Sequence, residues 1–435
     1  MLNSERFRRL SKEGLWVFLG QIVAVFGLLV GVRLLTELLD PVAYGELALG
    51  LTLATLVNQT ILGPLGNGVT RFYSPAAEQG DLGGYWNAVR ILIWSATAIV
   101  LLMIFLTVIG LLLAELSAWI AIATAALFFA ILSGYSSILL GIQNAARQRS
   151  IVALHQGMEP WARLIIAASL MVWLGATSAI ALAGYSLAII LLLGSQYAFF
   201  RRLIPRSINV EDRGRSWQKQ ILTYTWPFAS WGVFSWAQQA SDRWALEVFA
   251  TTQEVGLYAV LFQLSYYPMS MATGMAMQFF APIFYLRAGD AKDNRRNAEV
   301  NNLSWRLTGL SLCVTGVVFL ASVLLHTKIF SVLVAKEYGV VSHLLPWVIL
   351  ASGVFAAGQT MALNLMSQMK ARRMIAAKIV TALLGVTFNV VGAYWYGTTG
   401  IVLAGVLFSL LYFLWMAALS KMPVREPKRL SDKGA

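Results

Sequence analysis

The sequence is built from apolar runs of about 20 residues, separated by short bursts of charged residues. A helix of about 20 apolar residues crosses the roughly 30 Å hydrocarbon core of a bilayer and satisfies its own backbone hydrogen bonds there. Only 12% of the 435 residues are charged, about half the share found in soluble domains. The pattern therefore predicts an all-α polytopic membrane protein with about twelve transmembrane helices. We place them at 14–36, 43–66, 90–113, 117–142, 150–173, 178–200, 220–247, 254–283, 303–325, 341–367, 374–395 and 399–420.

The positive charges predict how these spans are oriented. With the N-terminus in the cytoplasm, 28 of the 33 Lys and Arg residues fall in cytoplasmic connections. The outer connections contain only Lys328 and Lys336, and the other three arginines lie within spans. Positive charge is retained on the cytoplasmic side of membrane proteins, so we expect both termini in the cytoplasm. The net charge of +13 is then explained by topology and by attraction to anionic membrane lipids. It does not indicate nucleic-acid binding.

The chain contains no pattern typical of a metal or nucleotide site. Its single cysteine, Cys313, lies in an apolar span, and its three histidines, His155, His326 and His343, are far apart in the sequence. A phosphate-binding loop of the form G-x-x-x-x-G-K-[ST] does not occur. We therefore expect no metal site, no cofactor and no ATP hydrolysis through such a loop.

A hydrophilic segment divides the chain into two halves of six spans each. An even number of spans gives both halves the same orientation, as in parallel repeats. We interpret the chain as an N-terminal six-helix bundle (1–200), a cytoplasmic linker (201–219), a C-terminal six-helix bundle (220–421) and a cytoplasmic tail (422–435).

Two similarities between the halves support a repeat with a pseudo-two-fold axis along the membrane normal. Gln143 precedes two arginines just before the fifth span, and Gln368 precedes two arginines just before the eleventh. A shift of 211 positions also aligns Gly45 with Gly256. We therefore expect the two bundles to be related in structure.

Four short motifs carry a resemblance to a known family. Asp-Arg-Trp-Ala-Leu at 242–246 is followed by Glu-Val-Gly-Leu-Tyr-Ala at 254–259, and the first half has Arg-Leu-Leu-Thr at 33–36 and Asp-Pro-Val-Ala-Tyr-Gly at 40–45. With these motifs and its six-plus-six layout, the chain resembles the polysaccharide transporter family of O-antigen and exopolysaccharide flippases. That family shares a superfamily with the multidrug and toxin extrusion (MATE) antiporters and the lipid II flippases. Glu46 departs from the family pattern, which more often has an apolar residue there.

The resemblance implies a fold, a substrate and a location. The fold would be MATE-like, with two bundles forming a V around a cavity that opens alternately to the two sides. The substrate would be a polyprenyl-pyrophosphate-linked oligosaccharide, moved from the cytoplasmic to the outer leaflet of the bacterial cytoplasmic membrane. Membrane lipids and other polysaccharide-assembly membrane proteins would be the partners. The protein would be a transporter and not an enzyme.

The fifth predicted span carries three ionisable side chains. His155, Glu159 and Arg163 are spaced by four residues and so lie along one helix face. An ionisable group at bilayer depth costs about 2.5–3.5 kcal/mol on insertion scales, which favours a cavity or the bundle interior. The sequence leaves two interpretations open. Glu159 and Arg163 either form an ion pair that holds helices together, or Arg163 binds an anionic head group.

Two further arginines lie near the outer ends of spans, Arg33 in the first and Arg243 in the seventh. Both could extend to the membrane interface. In the functional interpretation they line the cavity and bind pyrophosphate, which Arg contacts in bidentate fashion. An H⁺ or Na⁺ gradient could drive transport. The candidate groups for binding the coupling ion are Glu46, His155, Glu159 and Asp242.

Neutral polar and aromatic residues within the spans are candidates for contacts with the sugars. Amide side chains either hydrogen-bond sugar hydroxyls or join helices, and deep tryptophans either stack on sugar rings or pack in the core. These candidates are Asn58, Gln59, Gln238, Gln239, Trp231 and Trp236.

Two other functions compete with the flippase. A multidrug cation antiporter of the same fold would carry a negatively charged cavity, which the arginines within the spans oppose. A membrane-embedded glycosyltransferase or polymerase would carry a large outer loop, and the largest predicted loops are cytoplasmic.

Overall fold

The computed structural model describes residues 2–201, 214–289, 293–370 and 372–421. The predicted tail, 422–435, and most of the predicted linker, 202–213, lie outside the described residues. The first half contains α1 (Leu2–Leu38), α2 (Pro41–Val57), α3 (Gly63–Glu78), α4 (Leu82–Leu113), α5 (Ala118–Ala145), α6 (Arg149–Leu174) and α7 (Ser178–Phe200). The second half contains α8 (Gly214–Phe249), α9 (Thr252–Ala288), α10 (Asn294–Leu333), α11 (Leu345–Ser367) and α12 (Arg372–Lys421).

Two features relate these helices to membrane crossings. A five-residue π-helical turn, Asn58–Leu62, joins α2 and α3 into one continuous crossing. In contrast, α12 is two helices that reverse direction at Gly397, whose φ of +54° suits glycine. Its arms are so close that a Cβ on Gly400 would lie 1.9 Å from the carbonyl oxygen of Gly392. Within the part of the chain that the structure describes, each half therefore has six crossings, which agrees with the prediction of about twelve spans.

The helices differ in polarity in a way that matters for function. Eight helical segments are long and apolar enough to span a membrane on composition alone, and together they include every described crossing except α6, α8 and α9. Most of the candidate residues lie on α6 and α8, whose polar side chains lower their hydropathy. These helices rely on neighbouring helices to cover their polar groups.

The described helices form two bundles of six crossings, as predicted. In the N-terminal bundle α6 packs on α1 and α7, and α5 packs on α7. In the C-terminal bundle α11 packs on α10 and α12, and α12 packs on α8. The bundles meet where α2 crosses α9 and where α3 and α4 pack on α8.

The two ends of the molecule differ in charge. We call the end that holds the α3–α4, α5–α6, α9–α10 and α11–α12 connections the basic face, because the Lys- and Arg-rich connections lie there. The end that holds the α1–α2, α8–α9 and α10–α11 connections and Gly397 is the opposite face. The second helix of each half begins at the opposite face with a side-chain cap. Asp40 accepts from Ala43 N at 2.8 Å, and Thr251 accepts from Glu254 N at 3.2 Å.

Candidate functional site

Hydrogen bonds between side chains and backbone groups close the opposite face between the two bundles. Thr36, on α1, accepts a bond of 3.0 Å from the backbone N–H of Ala335. Tyr338, in the 3₁₀ helix before α11, is buried and donates a bond of 2.8 Å to the carbonyl of Leu39. Each bond joins a residue of the first half to a residue of the second.

Arg33 belongs to this closure. Its guanidinium donates to the carbonyl of Val334 and, over 3.3 Å, to that of Ser331, both beyond the bundle boundary. It also pairs with Glu37 one turn along α1, and its side chain is 39% exposed. Arg33 therefore lies between the bundles at the opposite face, away from the other two arginines of the predicted set.

The crossing of α2 and α9 is made by two glycines. A Cβ on Gly45 would lie 2.1 Å from the carbonyl oxygen of Thr252, and a Cβ on Gly256 would lie 1.9 Å from that of Pro41. Only glycine allows such an approach of two helix backbones. The glycines aligned in the sequence by the repeat thus pack against each other in the structure.

A second contact between the bundles follows α2, α3 and α8, and we call it the α2–α8 seam. In the part of the seam formed by α2, two tryptophans of α8 bind Thr52. The indole N–H of Trp236 donates to its carbonyl over 2.7 Å, and that of Trp244 donates to its hydroxyl over 2.9 Å. At the π-helical turn, Gln59 donates to Gln239 over 3.2 Å. The seam therefore uses polar groups on both helices.

The same seam continues to the basic face. A Cβ on Gly232 would lie 2.0 Å from the carbonyl oxygen of Gln59, and a Cβ on Gly68 would lie 2.4 Å from the methyl group of Thr225 on α8. At the basic end, buried Trp217 donates to Asp81 over 2.8 Å. The contact between α1 and the C-terminal bundle is bonded differently. In α1 the structure describes the side chains of residues 16 and 18–38, and these, with Leu39, hydrogen-bond the C-terminal bundle close to the opposite face.

A cavity of about 340 Å³ lies in the C-terminal bundle and reaches α2. Residues of α2, α8, α9, α11 and α12 line it, so it borders both bundles. Its polar lining residues are Thr52, Thr55, Gln238, Gln239, Asp242, Arg243, Tyr258, Tyr266, Tyr267, Ser352, Asn389 and Ser409. The predicted residues Gln238, Gln239, Trp236, Asp242 and Arg243 all lie in this wall.

The charged group of this cavity is the Asp242–Arg243 pair. Asp242 is buried; one carboxylate oxygen accepts from the Tyr258 hydroxyl at 2.9 Å and the other from the backbone N–H of Arg243 at 2.7 Å. The guanidinium of Arg243 lies 3.7 Å from the carboxylate and 4.7 Å from the ring centre of Phe262. Arg243 is thus held over an aromatic ring with an incomplete ion pair.

The second charged pair, Glu159 and Arg163, lies on α6. The two side chains are in direct ionic contact and are partly buried. The guanidinium of Arg163 lies 4.9 Å from the ring centre of Phe129 and 5.8 Å from that of Tyr185. Its Nε is buried and has no partner among the described residues. The ion pair of the first interpretation therefore exists, and it leaves one donor of Arg163 unused.

A cluster of tyrosines brings these two pairs together. Tyr44 and Tyr185 belong to the N-terminal bundle and Tyr267 to the C-terminal bundle. The three side chains are close enough to interact electrostatically with one another. Arg163 approaches Tyr185, whereas Arg243 interacts in the same way with Tyr44 and Tyr267. Two of the three predicted arginines therefore flank one polar region between the bundles.

The remaining ionisable candidates lie elsewhere. His155 is buried between Ile151 O, 2.9 Å from its Nδ1, and the Ser195 hydroxyl, 3.1 Å from its Nε2. Glu46 accepts a bond of 2.7 Å from Ser178 on α7. Among the described residues, no three His, Cys, Asp or Glu side chains come together as metal ligands.

Three candidates for sugar contacts, Asn58, Gln59 and Trp231, are not in the lining of the cavity, and Gln59 belongs to the α2–α8 seam. Asn58 donates to Ser133 on α5 over 2.9 Å, so it joins helices within the N-terminal bundle. Trp231 is 45% exposed and pairs with Phe234, with ring centres 6.4 Å apart.

The sequence reasoning missed several residues of the site. Tyr258, Tyr266 and Tyr267 on α9 line the cavity, as does Asn389 on α12, which donates to Ser241 over 2.9 Å. Their signal was an adjacent tyrosine pair and a single asparagine inside strongly apolar runs. Polar groups at that depth are retained mainly for contacts within a bundle or a cavity.

The sequence also matches a family model. The model described as "Polysaccharide biosynthesis protein" matches residues 10–285, more than half of the chain. None of the curated proteins matches the chain.

Solved structures share the fold. An inward-facing multidrug resistance MATE family transporter of the MOP superfamily is 13% identical, covers 92% of this chain and 94% of its own, and superposes with a TM-score of 0.69. The lipid II flippase MurJ, in an inward closed conformation, is 13% identical with 94% and 87% covered and a TM-score of 0.70. A MATE transporter of Vibrio cholerae is 16% identical with 94% and 96% covered and a TM-score of 0.59. The chain thus has the fold of these multi-pass membrane transporters.

Proposed function

We propose, from the premise that this chain belongs to the polysaccharide biosynthesis protein family, that it flips a polyprenyl-pyrophosphate-linked oligosaccharide. The cargo is an O-antigen or exopolysaccharide repeat unit, moved by alternating access from the cytoplasmic to the periplasmic leaflet of the bacterial cytoplasmic membrane. In this proposal both termini and the basic face are cytoplasmic. The observation that carries it is that Arg163 and Arg243, one from each bundle, flank the tyrosine cluster between the bundles.

The chemistry of the head group fits these two arginines. A pyrophosphate diester carries negative charge on both phosphates and needs cationic donors outside water. Guanidinium groups bind phosphate oxygens through paired N–H donors. Arg163 has an unused Nε–H, and Arg243 is 3.7 Å from its carboxylate, longer than a good ionic hydrogen bond. Both can therefore accept an anionic ligand without losing their place in the bundle.

The neighbouring carboxylates supply a means of coupling. Glu159 competes with the substrate for Arg163, and Asp242 competes for Arg243. A proton on either carboxylate removes this competition and frees the arginine for pyrophosphate. In this proposal H⁺ and the head group bind together, cross in the same direction and are released together, so a gradient that is more acidic on the loading side drives transport away from that side.

In this proposal the lipid tail extends from the protein into the bilayer on the side where α1 faces α9. The α2–α8 seam is bonded from Thr52 to Asp81, whereas the part of α1 whose side chains the structure describes (16 and 18–38) hydrogen-bonds the C-terminal bundle close to the opposite face. The polyprenyl chain can therefore remain in the bilayer between α1 and α9 while the head group enters. Gln238, Gln239, Trp236 and Asn389 line the cavity for contacts with sugars.

The test is transport of a lipid-linked oligosaccharide by the purified protein in vesicles. Arg163→Ala and Arg243→Ala are expected to reduce the rate at least about tenfold, because each removes a charge-assisted bond of about 1.5–3 kcal/mol. Arg306→Ala, at an exposed arginine of α10, is the matched control and should transport normally. All three proteins are first checked for insertion and thermal unfolding. Normal transport by a folded Arg163→Ala protein would remove this residue from the site.

The coupling proposal has its own test in the same vesicles. A pH gradient that is acidic on the side where the substrate is loaded should accelerate the normal protein, and the reverse gradient should slow it. Glu159→Gln should transport with reduced dependence on the gradient. Equal rates with and without a gradient in the normal protein would exclude coupling to H⁺, and a Na⁺ gradient is the second arm. This result would leave the flippase proposal standing.

The multidrug antiporter remains a second candidate, because MATE transporters share the fold. The cavity pairs one aspartate with one arginine and so does not offer excess negative charge to a cation. Drug resistance of an expressing strain tests it. Increased resistance together with loss of lipid-linked oligosaccharide transport would favour the antiporter.

A further inference from the structure

A second cavity, of about 700 Å³, lies wholly in the N-terminal bundle between α4, α5 and α7. Ile93, Leu139 and Leu193 contribute apolar walls, one from each helix. Trp94 also lines it and is 69% exposed, so the cavity opens on the surface of the bundle as a groove. Its size falls within the roughly 300–1,000 Å³ of sites that bind small molecules.

The groove has one polar end, formed by Arg90 and Asn87 on α4. Following Arg90, residues 91–113 of α4 contain no charge, and 23 residues of helix extend about 34 Å. That length matches the hydrocarbon core of a bilayer. Arg90 therefore lies at the boundary of the core towards the basic face, at the level of lipid head groups, and the groove extends from it into the hydrocarbon.

Two donors at this end lack an anionic partner. Arg90 is exposed and donates to the Asn87 side chain over 3.1 Å, and no carboxylate among the described residues pairs with it. Trp86 lines the groove and is 9% exposed, and its buried indole N–H has no acceptor among the described residues. A phosphate group at the membrane surface supplies the negative charge and the acceptor oxygens that this end lacks.

We propose that this groove binds an anionic phospholipid, with the phosphate at Arg90 and one acyl chain between α4, α5 and α7. The apolar walls fit the chain, and the charge of the polar end selects an anionic head group over a zwitterionic one. The groove is separate from the tyrosine cluster, so lipid binding here does not depend on what the protein transports.

Native mass spectrometry of the full chain in detergent tests the proposal. The protein is titrated with phosphatidylglycerol and, separately, with phosphatidylcholine. Arg90→Gln should weaken phosphatidylglycerol binding about tenfold and weaken phosphatidylcholine binding less, because the choline group offsets the charge of the phosphate. Arg306→Gln, at an exposed arginine outside the groove, makes the same change of charge and should bind as the normal protein does. Ile93→Trp keeps Arg90 and fills the groove, so it should also weaken binding.

The two variants separate the parts of the proposal. Weaker phosphatidylglycerol binding in both, with Arg306→Gln unaffected, supports the site. Normal binding by Arg90→Gln overturns it. Weakening by Arg90→Gln but not by Ile93→Trp would mean a surface contact with the head group alone, which also overturns it. Each protein is checked by gel filtration and thermal unfolding, and Leu139→Phe replaces Ile93→Trp if the latter does not fold.

Discussion

The glycine crossing of α2 and α9 allows a sharp test of how the opposite face closes. Gly256→Ala adds one methyl group where Pro41 O lies 1.9 Å from the new atom. Cβ atoms are essentially never closer than 3.0 Å to such an oxygen. The two backbones must therefore separate by at least about 1 Å, in the structure with the opposite face closed.

The energetic cost follows from the size of the clash. Adding a methyl group to a closely packed site costs about 1–3 kcal/mol, which corresponds to a factor of about 5–150 in an equilibrium constant. If the bundles separate here when the cavity opens to the opposite face, only the closed state bears this cost. We expect Gly256→Ala to shift the population towards the open state by that factor. Gly274→Ala, on the same helix with nothing within 4 Å, is the matched control.

The readout is the accessibility of a cysteine in the cavity. Cys313 is replaced by serine, and Thr55, which lines the cavity, is replaced by cysteine. A membrane-impermeant maleimide is added at the opposite face, and the labelling rate is measured. The rate should rise in the Gly256→Ala protein and remain at the starting value in the Gly274→Ala protein. Equal labelling in both would show that the glycine crossing does not control access.

Three further substitutions test the contacts that hold the bundles. Trp217→Phe removes the donor to Asp81 and should lower stability by about 1.5–3 kcal/mol, measured by thermal unfolding in detergent; an unchanged unfolding temperature would refute the contact. Glu254→Gln weakens the bonds that Glu254 accepts from the N–H and hydroxyl of Thr398, at 2.6 and 2.9 Å, with a similar loss expected. Gly232→Ala places a methyl group 2.0 Å from Gln59 O and should reduce transport, whereas unaltered transport would show that the α2–α8 seam opens in the cycle.

Much of the fold was predictable because membrane insertion is governed by the length and polarity of each segment. Runs of about 20 apolar residues gave the spans, and the reversal at Gly397 was found because Gly-Thr-Thr-Gly interrupts an apolar region. The five-residue π-helical turn was not predicted. Its amino-acid composition does not distinguish it from the helices on either side, because it only replaces one helical hydrogen-bond pattern with another inside a continuous crossing.

The site was predicted less completely, because sequence gives the depth of a residue but not the direction in which it faces. The sequence predicts Arg163 and Arg243 as polar groups within spans, but their approach to a shared tyrosine cluster depends on packing between bundles. Arg33 has the same depth signal, yet its neighbours are the carbonyls of Ser331 and Val334 at the opposite face. Residues about 300 positions apart in sequence give no local sign of such a contact.

The π-helical turn between α2 and α3 also fixes the rotational phase of the whole crossing. Each added residue turns the following side chains by about 100° around the helix axis, and a π turn absorbs one such addition. If the residues Asn58–Leu62 formed ordinary α-helix instead, every side chain of α3 would be rotated by about 100° relative to α2. Gly68 would then no longer face α8, while Thr52 would keep its tryptophan partners. The five π-helical residues in the middle of this crossing thus allow both α2 and α3 to face α8.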